Sequence, residues 1–167
     1  MLIRPVTAED FGAVVRINTE AEEYLNSQAS LTAEQLPPLI AMAALFNVAC
    51  LNGAVAAFVV AVRRGKNHDD PNYRWFAARY PEFLYVDRII VAAAARGKGL
   101  GSHLYKDLFS VARRLQAQRV TCEIDCDPPN EPSLRLHERF GFRETGRHAV
   151  DGGKKMVSLQ VAQLDGP

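Results

Sequence analysis

The sequence predicts a mixed α/β fold, a mostly antiparallel sheet built around one parallel pair of strands and flanked by helices. Three observations carry that reading. Asn52-Gly53 lies between two apolar runs, and Asp151-Gly152-Gly153 joins two more strand-like runs; both are hairpin signals. Residues 84–91, "LYVDRIIV", lead through an amphipathic stretch into residues 119–127, "RVTCEIDCD". Strand, helix and strand there form a crossover, expected to be parallel and right-handed. A chain of 167 residues has room for one domain with a real core, and residues 1–167 are read as that domain, with 65–83 as a flap or insertion.

The elements follow in order. A short opening strand is succeeded by Thr7 and, three residues on, Asp10, close to a capping box, with apolar Phe11, Val14, Val15 and Leu25 behind it as a first helix. Thr32 with Gln35 announces a second helix over "LPPLIAMAALF", whose prolines suit its first turn. The Asn52-Gly53 hairpin comes next. Residues 65–83 are polar and hold two prolines, yet they carry Tyr73, Trp75, Phe76 and Tyr80. A connection this long reads either as a functional flap or as a local aromatic core under a loop. After the central strand, Leu100, Leu104, Leu108, Val111 and Leu115 mark one stripe of a helix. Beyond the 119–127 strand, prolines interrupt the chain, a short helix starts near Asn130 and ends at Gly141, and a hairpin closes the sequence.

Composition narrows the function. With 20 basic and 19 acidic side chains and a formal charge of +1, the chain lacks the strongly basic balance of a nucleic-acid backbone binder. Any anion site must be local. The N-terminal residues lack a signal-peptide core, and no run of about 18 uncharged apolar residues occurs, so the expected address is the cytoplasm, without a membrane partner. Cys122 and Cys126 lie four apart in one strand, about 13 Å at the usual rise, which is beyond disulfide reach. They and Cys50 read as small buried thiols. The four histidines are too scattered for a zinc site, and no metal is expected.

The chemistry concentrates in Arg96-Gly97-Lys98-Gly99-Leu100-Gly101, where the central strand becomes a helix. A helix start leaves backbone N–H groups without intrahelical partners and carries partial positive charge, so it suits a phosphate. Glycines open the conformations such a turn needs. The stretch is not a Walker A loop, because Lys98 is followed by Gly99, and its G-x-G-x-G departs from the dinucleotide G-x-G-x-x-G.

What fits is Arg-x-x-Gly-x-Gly, at Arg96, Gly99 and Gly101, after "IIV" and opening an amphipathic helix. This resembles the pyrophosphate loop of the GNAT acyltransferase superfamily. The order of elements from Leu2 to Leu164, including the "FGF" segment, is similar to the whole family fold.

That resemblance implies a central strand splayed from its parallel neighbour, with acetyl-CoA as co-substrate. Main-chain groups of Ile89, Ile90 and Val91 would pair with the pantetheine, and N–H groups from Arg96 through Gly97, Lys98, Gly99, Leu100 and Gly101 to Ser102 would hold the pyrophosphate. Asn130 and Ser133 match positions that contact the pantetheine arm or phosphates. His137 stands where family members commonly have the tyrosine that protonates the departing thiolate, and a histidine can supply that proton. Asp87 is the candidate base for the amine, against an ion pair with Arg88, and Glu123 and Asp125 are the fallbacks. Backbone N–H of Ile89 or Ile90 would meet the oxyanion.

The implied reaction is transfer of an acetyl group from acetyl-CoA to a primary amine of a small molecule, by direct attack in a ternary complex. Glu20, Glu23, Tyr24, Asp69, Asp70 and Trp75 would suit a cationic acceptor. A non-catalytic acyl-CoA-binding module, a protein or peptide N-acetyltransferase, and a homodimer stay open.

Overall fold

A computed structural model describes residues 1–25 and 30–164, and of residues 23–25 the backbone. Strands and helices run β1 (Leu2–Pro5), α1 (Phe11–Leu25), α2 (Leu36–Met42), β2 (Leu45–Leu51), β3 (Ala54–Arg63) and α3 (Pro71–Ala77). They continue with β4 (Leu84–Val91), α4 (Leu100–Arg114), β5 (Arg119–Asp127), α5 (Glu131–Arg139), β6 (Arg143–Val150) and β7 (Lys155–Gln163). The strand order is β1-β2-β3-β4-β5-β7-β6. The β1–β2, β2–β3, β5–β7 and β6–β7 pairs are antiparallel, and β4–β5 is parallel in the register Leu84↔Val120, Tyr85↔Thr121. This is the mixed, mostly antiparallel sheet that the two hairpins and the crossover foretold.

The chain divides into two compact units, Met1–Val62 with Asp87–Leu108, and Arg63–Val86 with Phe109–Pro167. In the first, α1 buries Val14 and Ile17, and these share a core with Leu36, Val48, Phe58, Val60 and Ile90. Fully burying a side chain the size of Phe58 stabilises by about 1.5–3 kcal/mol. The capping box before α1 is present: Thr7 N–H donates to Asp10 Oδ2 at 2.8 Å. Arg4 adds a two-pronged ion pair to Asp10 at 2.6 and 2.9 Å.

The second predicted helix is shorter than its sequence pattern suggests. It ends at Met42, Ala43 turns extended (φ −64°, ψ 139°), and Leu45 and Phe46 enter β2. Pairing with β3 explains the difference. Phe46 sits opposite Val60, and its ring lies 5.9 Å from that of Phe58, so burial in the sheet outweighs local helix propensity.

In the second unit, residues 65–83 contain α3, an element the sequence reading placed in a loop. Asp70 caps it by accepting Tyr73 N–H at 2.8 Å, and Pro71 opens its first turn. Tyr73 and Phe76 are buried, and their rings meet those of Phe83 and Tyr85 edge-on or tilted, with centroids 5.6 to 6.3 Å apart. Trp75 lies across β6, where a Cβ on Gly146 would come within 3.0 Å of its ring. These rings form a local aromatic core within the segment.

Candidate functional site

After β4 the chain makes a short 3-10 turn, Ala93–Ala95, and then reaches Gly97 (φ 75°) and Gly99 (φ 80°), both in the left-handed region. A Cβ at Gly97 would meet nothing within 4 Å, and at Gly99 only the His103 ring at 3.7 Å. The glycines are thus required by backbone conformation and not by crowding. The N–H of His103 bonds to the Gly99 carbonyl at 3.1 Å, and His103 Nδ1 lies 2.9 Å from the same oxygen. The N–H groups of Leu100, Gly101 and Ser102 precede that bond and have no acceptor inside α4. Of the expected donors, Arg96 N–H bonds back to the Ala93 carbonyl at 3.3 Å. Arg96 and Lys98 are exposed and hold to the turn through the Val91 and Ala94 carbonyls at 3.4 and 3.1 Å.

On β4, Ile90 is buried in the core, and Ile89 and Val91 are half-buried. Asp87 makes an ion pair with Arg88. Its Oδ2 accepts from Arg88 Nε at 2.8 Å, with the two side chains 7% and 10% exposed. Arg88 Nη1 donates to Asn18 Oδ1 at 2.7 Å, and Asn18 Nδ2 donates to Glu22 Oε1 at 2.5 Å. This buried line, from β4 into α1, was not read from the sequence; a fully buried asparagine beside a helix carboxylate carries no local signature.

Asn130 and Ser133 come together at the start of α5. Asn130 Oδ1 accepts Ser133 N–H at 3.3 Å as the helix N-cap, and Asn130 N–H bonds to the Asp125 carbonyl at 3.0 Å. His137, one turn further, is 3% exposed. Its Nδ1 lies 2.7 Å from the Ser133 carbonyl and 3.3 Å from Ser133 Oγ, and its ring meets Phe142 edge-on at 5.1 Å. Burial lowers its pKa to about 4, despite the carbonyl bond, which acts in the opposite sense. His137 is the residue expected as the acid. At neutral pH the ring is uncharged, and Nδ1–H is committed to a carbonyl that can only accept, which leaves Nε2 as an acceptor.

Of the expected acceptor-side groups, Glu20 pairs with Arg16 at 2.9 Å, Asp69 with Arg74, Asp70 caps α3, and Trp75 carries the Arg79 guanidinium 3.8 Å above its ring. The side chains of Glu23 and Tyr24 lie outside the described residues, as does that of Leu25. Among the described residues, no cluster of three or more His, Cys, Asp or Glu side chains has metal-holding geometry, and no helix is long and apolar enough to cross a membrane.

A mixed sheet whose central strand runs through a left-handed glycine turn into a helix defines an α/β class of protein. Within that class, residues 12–142 match the acetyltransferase (GNAT) family, and the chain belongs to it. It is 42% identical over 79 residues to phosphinothricin N-acetyltransferase of Streptomyces coelicolor, across 47% of this chain and 45% of that one. It is 26% identical over 145 residues to aminoglycoside N(6')-acetyltransferase type 1 of Klebsiella pneumoniae, across 85% of this chain and 64% of that one. The chain thus spans less than two thirds of these curated relatives. In fold it is similar to the yncA protein of Salmonella typhimurium, solved with its cofactor acetyl-CoA, at a TM-score of 0.76 and 22% identity over 100% of this chain and 95% of that one.

Proposed function

We propose that this chain transfers an acetyl group from acetyl-CoA to a primary amine of a small molecule, by direct attack within a ternary complex. The carrying observation is the turn before α4, where two left-handed glycines present the amides of Leu100, Gly101 and Ser102 ahead of the helical ladder. In this reading Gly97, Lys98 and Gly99 complete the pyrophosphate cradle, with Arg96 and Lys98 supplying charge. Ile89, Ile90 and Val91 pair with the pantetheine, and Asn130 and Ser133 are further cofactor-binding positions. The small-molecule acceptor is supported by the relatives' names, which give phosphinothricin and an aminoglycoside as their substrates.

The amine loses its ammonium proton, its lone pair attacks the thioester carbonyl, the C–N bond forms, and the C–S bond breaks with both electrons on sulfur. One of the two remaining N–H protons ends on the thiolate, and the product amide keeps the other. Backbone N–H of Ile89 or Ile90 is the proposed oxyanion donor. Asp87, which is paired with Arg88, is the proposed base for the amine, with Glu123 and Asp125 as the alternatives.

A second reading rests on His137. A neutral histidine at the acid position suits an acyl-CoA-binding module without turnover. Calorimetric titration with acetyl-CoA, CoA and NAD, followed by an amine screen with spermidine, aminoglycosides and amino acids, separates the two. Binding with acetyl transfer supports the enzyme, binding without transfer to any amine supports the module, and indifference to CoA removes both.

A further inference from the structure

Within the second unit, α3 packs against β5. Asn72 and Phe76 lie four apart on α3 and so share one face of it. The Phe76 ring is 6.1 Å from that of Tyr85, which turns this face toward the sheet. On β5, Thr121 stands opposite Tyr85 in the parallel register, and Arg119 precedes it by two residues on the same side of the sheet. That side is the one α3 covers. The Arg119 guanidinium lies 4.5 Å from the ring of Tyr80, whose N–H bonds to the Phe76 carbonyl at 2.9 Å.

Three polar side chains of this seam carry buried atoms without a hydrogen-bond partner among the described residues: Asn72 Oδ1, Thr121 Oγ1, and Arg119 Nε and Nη1. Asn72 is 6% and Thr121 0% exposed. Folded proteins rarely leave such groups unpaired, because each would forfeit the hydrogen bond it made to solvent in the unfolded chain. Their chemistry selects what completes them. Arg119 offers only donors and needs an acceptor, Asn72 Oδ1 accepts and needs a donor, and the Thr121 hydroxyl can do either. An anion would serve Arg119 but set its lone pairs against Asn72 Oδ1. A cation would serve Asn72 but oppose the guanidinium charge. Water donates and accepts, and a buried water is held by two to four polar partners. From β7, Val161 lies opposite Thr121 and Gln163 opposite Arg119, and neither brings a charge.

We propose that the seam between α3 and β5 is a binding site for ordered water, which bridges the Thr121 hydroxyl to Asn72 Oδ1 and accepts from the Arg119 guanidinium. α3 is then fastened to the sheet in two ways. Tyr73 and Phe76 hold it through apolar rings, and Asn72 holds it through solvent. The site stands apart from the acyltransferase reading, because none of its three residues belongs to the proposed acetyl-CoA cradle or to the reacting groups.

The test is a high-resolution crystal structure of the full chain, with urea unfolding of Thr121→Val and Thr121→Ser alongside it. The expected result is an ordered water within about 3.2 Å of both Thr121 Oγ1 and Asn72 Oδ1, and water on Arg119 Nε or Nη1. A seam closed without solvent, its side chains meeting one another, overturns the site, and so does one that holds an ion. Thr121→Val keeps the shape and removes the hydroxyl, so it should raise the unfolding equilibrium constant about fivefold. Thr121→Ser keeps the hydroxyl and should keep the water. A valine variant as stable as the wild type, or more stable, also overturns the site, since in a dry seam the loss of an unpaired hydroxyl removes a penalty and no bond.

Discussion

α4 and α5 begin in opposite ways. α5 satisfies itself: Asn130 caps Ser133 N–H, Pro132 lies in the first turn, and Glu131 adds an acid there. α1 is preceded by a similar arrangement, with Asp10 closing a capping box on Thr7. α4 has a glycine where those helices have a capping side chain, so its first amides are left for something outside the helix. A glycine at the cap position gives up only a few tenths of a kcal/mol relative to a capping side chain, and two left-handed glycines with two cations at that start are what the proposed pyrophosphate site uses.

The largest expected effect breaks that contrast directly. Gly99→Glu puts a negative charge where α4 should meet pyrophosphate. Like charges about 4 Å apart at a surface site repel by about 4 kcal/mol, so acetyl-CoA affinity should fall by about 1,000-fold by calorimetry. Gly99→Ala, which adds only left-handed strain of about 1–2 kcal/mol, should lower thermal stability more than affinity. Equal affinity losses in the two variants would show that strain, and not charge, governs binding.

Next comes His137 at the far end of α5. Its folded pKa of about 4 lies below the unfolded value of 6.5, so between those values the unfolded chain binds more protons. Stability is then full above about pH 6.5 and is lost as pH falls toward 4, by about 3 kcal/mol. Urea unfolding across that range should show this slope, and His137→Gln should flatten it. An unchanged slope would locate the acid sensitivity elsewhere.

The α1 cap is a smaller effect at lower pH. Arg4 and the Thr7 groups hold the Asp10 carboxyl down to about 2, from an ordinary 3.8. That contribution is present above pH 3.8 and disappears as pH falls through 2. Asp10→Asn should therefore cost about 1–2 kcal/mol at pH 7, reduced by the partial exposure of Arg4, and almost nothing at pH 2. The smallest effect sharpens the comparison of the two helix starts. Asn130→Ala should cost about 1 kcal/mol of stability by urea unfolding. If α5 is self-satisfied, acetyl-CoA affinity should change less than it does with Gly99→Glu.

Much of this was legible because it is local. Thr7 and Asp10, Asn52-Gly53, the α4 stripe and the Asn130 start are settled by residues within one or two turns of each other, and steric and capping preferences act at that range. The glycine turn was legible for the same reason. α3 carried a readable sign as well, Asp70 followed by Pro71, but the surrounding polar residues and prolines pointed to a loop.

By itself the sequence determined the mixed sheet, the crossover and the glycine turn, because periodicity, turn chemistry and backbone freedom are properties of short segments. Only the tertiary structure decided what distant side chains do. It drew Leu45 and Phe46 out of a helix pattern into β2, joined Arg88 to Asn18 across 70 residues, and set Tyr85 against Glu123 across 38. It also buried His137, the candidate acid, edge-on against Phe142. Protonation and partner choice follow burial and distance, and neither is written in the order of residues.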